Sequence, residues 1–497
     1  MRPLSMLTAV EALALAVWLV LAGALLLDGP DEGRMVPIDP DALSAGPGEE
    51  AWMGIYFQGQ KVGYAVSSDA PTSDGGRLLR NRSAFKLAAF GDIKQVVTAG
   101  NAVVDRDGFL RRFDFFMSSD PVRIAARGEV GDDQVRIELH QAGEVETLTL
   151  DIDAPPHMSL SLGTVIASKE EIHVGDRYEV PYFDPVTLAQ DTMVIRVFDV
   201  EVLPDGEEAY WMERSFGDLT TRVLMTPSGQ VMREEGALGM SLVRQTAEEA
   251  QEMPEGAEPV DIISLSAVKL KGRLSNPREA HHLDMRIVGV EPERLVNDPP
   301  VQVVEGDRVI LSTPLVAELP AALPRVDTDP AVAPYLAATP FLPVQHPDIQ
   351  AQADKLVGHI DSRREAARVL VDWVYGYLDK APTIGVPNAL EVLQVGQGDC
   401  NEHTALYVAL ARAAGIPARI AAGVVFSDRL ADTGAFYYHA WPEVRLGADG
   451  EWVPVDPTFG QFPADATHVK LVEGDLDRQI EIMGVMGRLG FELVEVR

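Results

Sequence analysis

Alternation of apolar and polar residues between Trp52 and Val243 is the pattern that most constrains the fold of this chain. Such alternation is typical of strands that bury one face, and turn sequences such as the Asp-Arg-Asp-Gly at 105–108 separate the runs. No long helical pattern interrupts the region, so we predict a large antiparallel β domain over residues 51–244, for which a half-barrel is one possible form. The predicted strands are 52–57, 61–67, 101–104, 109–117, 134–139, 146–152, 193–203, 209–215, 221–226 and 230–233.

Three shorter segments follow this domain. Residues 245–259 are acidic and contain Pro and Gly, which indicates a linker. Strand patterns resume in residues 260–318, and we interpret this segment as a small β module. Prolines recur throughout residues 319–347. Because proline lacks an N–H group and has a fixed φ, this composition predicts a semi-rigid connector.

The segment 348–497 changes character, because helical patterns come first and strands follow. Ser362 and Glu365 have the spacing of a capping box at the start of a helix. Gly415, with Pro417 just beyond it, is a typical helix end. Together these patterns predict an α+β domain. Its predicted helices are 363–378, 389–393 and 400–414, and its predicted strands are 418–426, 435–446 and 451–456.

An uncharged apolar run at residues 12–27 lies near the N-terminus. A helix that spans a bilayer needs about 20 residues, and the apolar stretch reaches this length when it is extended to 4–27. We predict an uncleaved transmembrane signal-anchor, followed by a linker at 28–50. Arg2 before the run favours an inner-membrane protein with most of the chain in the periplasm. A cleaved signal peptide and a buried soluble helix are the alternatives.

Acidic residues far outnumber basic ones, with 76 Asp plus Glu against 42 Lys plus Arg and a net charge of -34. A protein that binds a nucleic-acid backbone needs a positive face, so this balance argues against a nucleic-acid partner. It also disfavours charge-driven binding to an anionic membrane surface. We therefore expect contact with the membrane through the N-terminal helix alone.

Cys400 is the one cysteine of the chain, and it lies where a Gly-Gln-Gly-Asp loop at 396–399 meets a predicted helix. The dipole and free N–H groups of a helix N-terminus stabilise an anion, so the position predicts a lowered thiol pKa. The first N–H groups of the helix, that of Cys400 included, could also bind the oxyanion of an acyl intermediate. The alternative is that Cys400 is a small buried apolar residue.

His439 and Asp456 are predicted on two strands joined by a short turn, which would make the strands antiparallel neighbours. The two side chains would then be within hydrogen-bonding reach of each other. Together with Cys400 they would form a Cys–His–Asp arrangement, which supports covalent acyl transfer. The alternatives are an ordinary sheet histidine, a turn-initiating aspartate, and a zinc site that includes Cys400 and His403.

Four sequence blocks in this region resemble the core of bacterial transglutaminase-like proteins, a branch of the papain-like thiol enzymes. They are residues 398–403, 410–419, 438–444 and 452–458, within an overall span of 389–460. The resemblance implies that Cys400 is the nucleophile, His439 the general base and acid, and Asp456 the third member of a triad.

From the resemblance and the triad chemistry we expect an extracytoplasmic thiol enzyme that acts on amide or peptide bonds of a protein or peptide substrate. Hydrolysis and transfer to an amine both stay open, and so does the oligomeric state. We expect no cofactor and no metal ion. The alternative function is a non-catalytic envelope scaffold or binding protein with a degenerate transglutaminase-like domain.

Overall fold

The computed structural model describes most of the chain after the N-terminal segment. The predicted signal-anchor at 4–27 and nearly all of the linker at 28–50 lie outside the described residues. Within the described part, no helix is both long and apolar enough to cross a membrane. The described residues are 49–497 without 90–91, 120–121, 142–143, 170, 186–187, 189, 218, 255–259, 262–266, 382–386, 429–433, 475, 480–481, 483 and 486.

The first half of the described chain forms one antiparallel sheet of 14 strands, ordered β8-β7-β6-β5-β4-β3-β2-β1-β14-β13-β12-β11-β10-β9. The predicted large β domain is therefore present. Its strands are β1 (Glu49–Phe57), β2 (Gln60–Pro71), β3 (Arg77–Ala89), β4 (Asp92–Val104), β5 (Leu110–Ser119), β6 (Val122–Val130), β7 (Gln134–Gln141), β8 (Glu144–Asp151), β9 (Arg177–Phe183), β10 (Gln190–Val202), β11 (Glu208–Phe216), β12 (Leu219–Met225), β13 (Val231–Glu235) and β14 (Met240–Gln245).

The sequence patterns predicted the regular hairpins of this sheet but missed strands in which the alternation is less regular. Gly59 and Gly108 turn their hairpins with φ values of 81° and 84°, in the left-handed region that glycine tolerates. Strands β3, β6, β9 and β14 were not predicted. In β3 the adjacent residues Leu78 and Leu79 are both buried, which breaks the alternation on which the prediction depended.

The sheet curls so that strands from its two halves pack together on the inner face. The ring centroids of Phe113 on β5 and Phe183 on β9 are 5.4 Å apart. A short helix, α1 (Leu162–Ala167), adds Val165 and Ile166 to a core cluster with strands β9 to β12. Phe341, from the Pro-rich segment predicted as a connector, joins the core cluster that contains Phe113 and Phe183, so the apolar face is covered partly from outside the domain.

The middle of the chain forms a five-stranded sheet that includes the C-terminal end. A one-turn helix, α2 (Ala247–Gln251), precedes it in the predicted linker. The sheet order is β15-β25-β16-β18-β17, and the C-terminal strand β25 pairs with β15 in parallel and with β16 in the antiparallel direction. The strands are β15 (Lys269–Lys271), β16 (His282–Val288), β17 (Gln302–Glu305), β18 (Arg308–Ser312) and β25 (Gly490–Val496).

The remaining elements form a group of helices on a four-stranded antiparallel sheet, ordered β23-β22-β21-β24. All the helices and strands that were predicted here are present, whereas α3, α7, β19, β20 and β24 were not predicted. The helices are α3 (Pro347–Val357), α4 (Arg363–Tyr377), α5 (Ala389–Val395), α6 (Cys400–Ala413) and α7 (Leu476–Gln479). The strands are β19 (Asp379–Lys380), β20 (Gln397–Gly398), β21 (Ala418–Ser427), β22 (Ala435–Arg445), β23 (Trp452–Pro454) and β24 (His468–Glu473), with β19 and β20 paired in parallel.

Two apolar cores cover this four-stranded sheet. One core joins it to the helices and includes Leu406 of α6. The other joins it to the middle sheet and includes Met285, Phe436 and Phe491. The middle sheet and the C-terminal domain therefore share a core, and the start of α6 lies at the edge of this packed assembly.

Candidate active site

A capping box fixes the start of helix α6 and places Cys400 at its first position. The Asp399 carboxylate accepts a hydrogen bond from the Asn401 amide at 3.0 Å, and the Glu402 carboxylate accepts one from the Asp399 amide at 2.9 Å. On the helix, Thr404 donates to the Ala440 carbonyl at 3.0 Å and so ties α6 to strand β22. The Cys400 side chain is partly buried beside this strand.

The pKa of the Cys400 thiol is raised, which corrects the prediction of a lowered value. Burial is the main cause, and the negative charges of Asp399, Glu402 and Asp456 add to it. The Ala440 amide, which hydrogen-bonds to the sulfur, acts in the opposite direction but does not outweigh them. The two acidic residues that form the helix cap thus counteract the helix dipole, and the thiol is neutral at rest.

The raised thiol pKa predicts slow alkylation at neutral pH. We expect iodoacetamide to react with Cys400 at pH 7 more slowly than with a free thiol, and the rate to keep rising as the pH goes above about 8.5, the pKa of a free cysteine. Glu402→Gln keeps the cap acceptor but removes one negative charge, so its labelling midpoint should be lower. A wild-type midpoint well below about 8.5 would contradict the neutral thiol.

The capping box also limits the oxyanion donors that were predicted at the helix start. The Asn401 N–H is already bound to Asp399, so it is not a free donor. The Cys400 N–H has no hydrogen-bond partner among the residues that the structure describes. Of these two amides, the Cys400 amide is therefore the one open to a carbonyl oxygen of a substrate.

His439 and Asp456 lie within hydrogen-bonding distance, as their predicted positions require. His439 is on β22, and Asp456 follows two residues after β23. The distance from His439 Nε2 to Asp456 Oδ2 is 2.9 Å, and both side chains are buried. The other carboxylate oxygen of Asp456 accepts the amides of Thr458 at 2.7 Å and Phe459 at 3.0 Å. The carboxylate is therefore held firmly against the imidazole.

The structure brings Cys400 to the strand of His439 but does not join the two side chains. The sulfur contacts the amide of Ala440, the next residue after His439. No hydrogen bond between the thiol and the His439 ring is present in the described part of the chain. Catalytic contacts are often loose before substrate binds, so this separation is compatible with a general base. Because Nε2 is held by Asp456, Nδ1 is the ring nitrogen left for the thiol.

His468 is a member of the site that the sequence did not reveal. It begins strand β24, which pairs with β21 on the side away from β22 and β23. Its Nε2 lies 3.0 Å from the same Oδ2 atom of Asp456. One carboxylate thus binds two imidazoles. The apolar residues of the segment 468–473, which begins with this histidine, could have indicated a buried strand. That strand was not predicted.

The charges of this buried cluster favour an ionised carboxylate and a protonated second histidine. Burial alone would raise the pKa of Asp456, but the charges of His439 and His468 and their hydrogen bonds lower it far below its usual range. Burial alone would lower the pKa of His468, but hydrogen bonds and charge interactions with Asp456 and Asp465 raise it to about 9. His468 is therefore an imidazolium at neutral pH.

Polar side chains lie close to Cys400, and Tyr438 is one of them. The Tyr438 hydroxyl lies 2.9 Å from Asn401 Oδ1 and 2.9 Å from Gln479 Oε1. Asn401 and Gln479 also line a small, mostly apolar pocket to which Phe341 and Ile420 contribute. The side chains next to the nucleophile can therefore offer amide groups to a peptide backbone and an apolar contact to a small side chain.

Among the residues that the structure describes, two groups of side chains have the spacing of metal ligands. The ligand atoms of His439, Asp456 and His468 lie within 4.8 Å of one another, and the hydrogen bonds between them account for the arrangement. A second group consists of three carboxylates around Arg419, which pairs with Asp298, Glu443 and Glu473 at 2.7, 2.7 and 2.6 Å.

The zinc alternative requires Cys400 and His403. Among the described residues, neither of them belongs to the two groups with metal-ligand spacing. His403 Nδ1 lies 2.6 Å from the Asp399 carbonyl, and burial lowers the pKa of this histidine. Its Nε2 is buried without a hydrogen-bond partner in the described chain. His403 therefore packs behind the nucleophile as a neutral side chain.

Comparison with known families agrees with this architecture. Residues 350–457 match the family model of the transglutaminase-like superfamily. The chain contains a transglutaminase-like domain. The match confirms the resemblance, and it includes Cys400, His439 and Asp456 but ends before His468. No curated protein matches the chain significantly.

Solved structures resemble parts of the chain at low identity. A protein named as a candidate cysteine protease from Cytophaga hutchinsonii is 18% identical, with 44% of this chain and 86% of that chain covered and a TM-score of 0.30. A β-barrel-like protein of a family of unknown function from Brucella abortus is 12% identical, with coverages of 40% and 98% and a TM-score of 0.31. A candidate protease from Parabacteroides distasonis is 12% identical, with coverages of 70% and 70% and a TM-score of 0.19. These similarities are too weak to indicate an activity. The family match and the geometry of the site are the observations that bear on function.

Proposed function

We propose that this protein is a thiol-dependent acyl-transfer enzyme that acts on amide or peptide bonds through Cys400, His439 and Asp456. The main support for this proposal is the hydrogen bond of 2.9 Å between His439 and the buried Asp456 carboxylate. A carboxylate in this position fixes the ring orientation and stabilises the imidazolium that forms during attack. The family match supports the same chemistry.

The neutral thiol requires that His439 act as a general base. As the Cys400 sulfur attacks the carbonyl carbon, its proton passes to Nδ1 of His439, and the carbonyl oxygen becomes an oxyanion beside the Cys400 amide. The imidazolium then gives this proton to the departing amine, which leaves a thioester on Cys400. Water or a second amine resolves the thioester, so the same site supports hydrolysis and transfer.

Acetylation by p-nitrophenyl acetate tests the proposal without a known substrate. We expect a burst of p-nitrophenol and an acetyl group on Cys400, detected by mass spectrometry of the intact chain and its peptides. Because Cys400 is the one cysteine, Cys400→Ser is a clean control in which the burst should be lost. An equal burst from Cys400→Ser would contradict the enzyme and favour the non-catalytic scaffold.

We also propose that the N-terminal apolar run anchors the protein, with the catalytic region outside the cytoplasm. The uncharged residues 12–27, preceded by Arg2, support this orientation. In spheroplasts that express the full chain, added protease should degrade the C-terminal region while a cytoplasmic marker stays intact. Protection of the C-terminal region until the membrane is lysed would show the opposite location.

A further inference from the structure

The second histidine of the site is held from both sides by oxygen atoms. His468 Nε2 lies 3.0 Å from the Asp456 carboxylate, and its Nδ1 lies 2.9 Å from the backbone carbonyl of Asp465. Neither a carboxylate nor a carbonyl oxygen can donate, so both ring nitrogens carry protons and the ring is a cation. The Asp465 carboxylate, 3.4 Å from Nδ1, balances this charge. His468 and Asp465 are both buried.

Asp465 in turn binds an arginine from the middle of the chain. Arg278 lies in a short 3-10 turn, Pro277–Glu279, just before strand β16. Its Nη1 is 2.8 Å from Asp465 Oδ2, and its Nη2 donates to the carbonyl of Phe426. The charged side chain of Arg278 thus joins the middle sheet to the residues behind the triad.

Arg278 reaches His439 by a second path. Its guanidinium lies over the Phe459 ring, 4.6 Å from the centroid. Phe459 also stacks on the His439 ring, at a centroid distance of 4.9 Å and an interplanar angle of 7°. The Phe459 amide also binds Asp456 at 3.0 Å. The same arginine therefore contacts residues that support both the carboxylate and the imidazole.

We propose that His468 and Arg278 are positioning residues for the triad. His468 bridges Asp456 and Asp465 as a buried cation, and so it holds the Asp456 carboxylate on His439. Arg278 anchors this bridge from the middle sheet. This inference rests on the proposed function of Cys400. It makes the middle sheet part of the catalytic unit, although Arg278 lies far from the triad in the sequence and outside the family match.

Acylation of Cys400 by p-nitrophenyl acetate measures the contribution of each residue. We expect His468→Gln to slow acylation by about 10–100-fold, the range for residues that orient metal ligands, which have a comparable supporting role. Arg278→Gln should slow it by about tenfold, at the lower end of that range. His157→Gln removes a buried histidine of the large β domain, and Arg286→Gln removes an exposed ion-paired arginine of the middle sheet. Both controls should stay within about twofold of wild type.

The protonation of His468 gives a readout that a purely structural role would not change. The charged and titratable groups that face it are Asp456 and Asp465, His439, and Arg278 through Asp465. In ¹⁵N-histidine NMR spectra of wild type, one ring should keep both nitrogens protonated until the pH nears 9. Its signal should be absent from His468→Gln, and its midpoint should move in Arg278→Gln. This measurement on wild type remains informative if His468→Gln does not fold.

The two proposals fail in different ways. If Cys400→Ser is acylated like wild type, the enzyme itself is wrong. If acylation requires Cys400 but proceeds at the wild-type rate in His468→Gln and Arg278→Gln, the enzyme stands and the positioning role is wrong. The absence of any histidine that stays doubly protonated above pH 8 would also overturn the role of His468.

Discussion

Asp456→Asn is expected to slow catalysis more than any other substitution of a residue that supports Cys400, and to destabilise the domain as well. The amide cannot balance the His468 imidazolium, and its NH₂ group cannot accept hydrogen bonds from the two imidazoles. We expect acylation of Cys400 to slow by about 10⁴-fold, the order of loss seen when a triad aspartate becomes asparagine. Breaking a buried ion pair should destabilise the domain by about 3–5 kcal/mol. The measurements are the p-nitrophenyl acetate burst and the temperature of thermal unfolding.

Asp465→Asn is the matched control for this substitution. Asp465 also contacts the His468 ring, whereas the carboxylate that is hydrogen-bonded to His439 in the described chain belongs to Asp456. We expect a comparable loss of thermal stability, because a charge partner of His468 is again removed, but a much smaller loss of acylation. If both variants lose acylation to the same extent, the contact of Asp456 with His439 has no special role.

His439→Gln should also cause a large loss of acylation. A glutamine side chain keeps a hydrogen bond to Asp456 but cannot take the thiol proton, so the neutral thiol has no base. General base catalysis contributes about 10²–10⁴-fold, and we expect a loss in this range at pH 7. At high pH the thiol ionises without help, so the difference between variant and wild type should shrink.

The pH dependence separates a general base from a structural histidine. A structural role predicts that His439→Gln is impaired equally at pH 7 and above the pKa of the thiol. His403→Gln is a suitable comparison, because His403 is buried near the same helix start and its Nε2 has no hydrogen-bond partner among the described residues. Its acylation rate should be altered far less than that of His439→Gln at every pH.

Local patterns in the sequence were sufficient for the elements that hold the predicted triad. The Gly-x-Gly-Asp-Cys loop and the Gly415 stop fixed the helix, and the short turn after β22 brought His439 and Asp456 together. Asp456 itself lies beyond the end of β23 rather than on the strand, yet the predicted proximity holds.

The rest of the site depends on contacts between distant segments. His468 reaches Asp456 because β24 pairs with β21, and no local pattern specifies that pairing. Arg278 reaches Asp465 because the middle sheet shares a core with the C-terminal domain. The direction of the Cys400 pKa was mispredicted for a different reason. Burial of the thiol is the main cause of its raised pKa and depends on tertiary packing, and the charges of Asp399 and Glu402 add to it against the helix dipole.

The pairing of the final strand with the middle sheet has a practical consequence for recombinant work. A fragment cut to residues 350–457 would discard β24, β25 and the turn that holds Arg278. Phe436, now covered by Phe491 at a centroid distance of 5.1 Å, would face water, and strand β21 would become an exposed edge. Such a fragment should aggregate rather than report on the enzyme. Expression trials should therefore retain everything from the middle sheet to the carboxyl end.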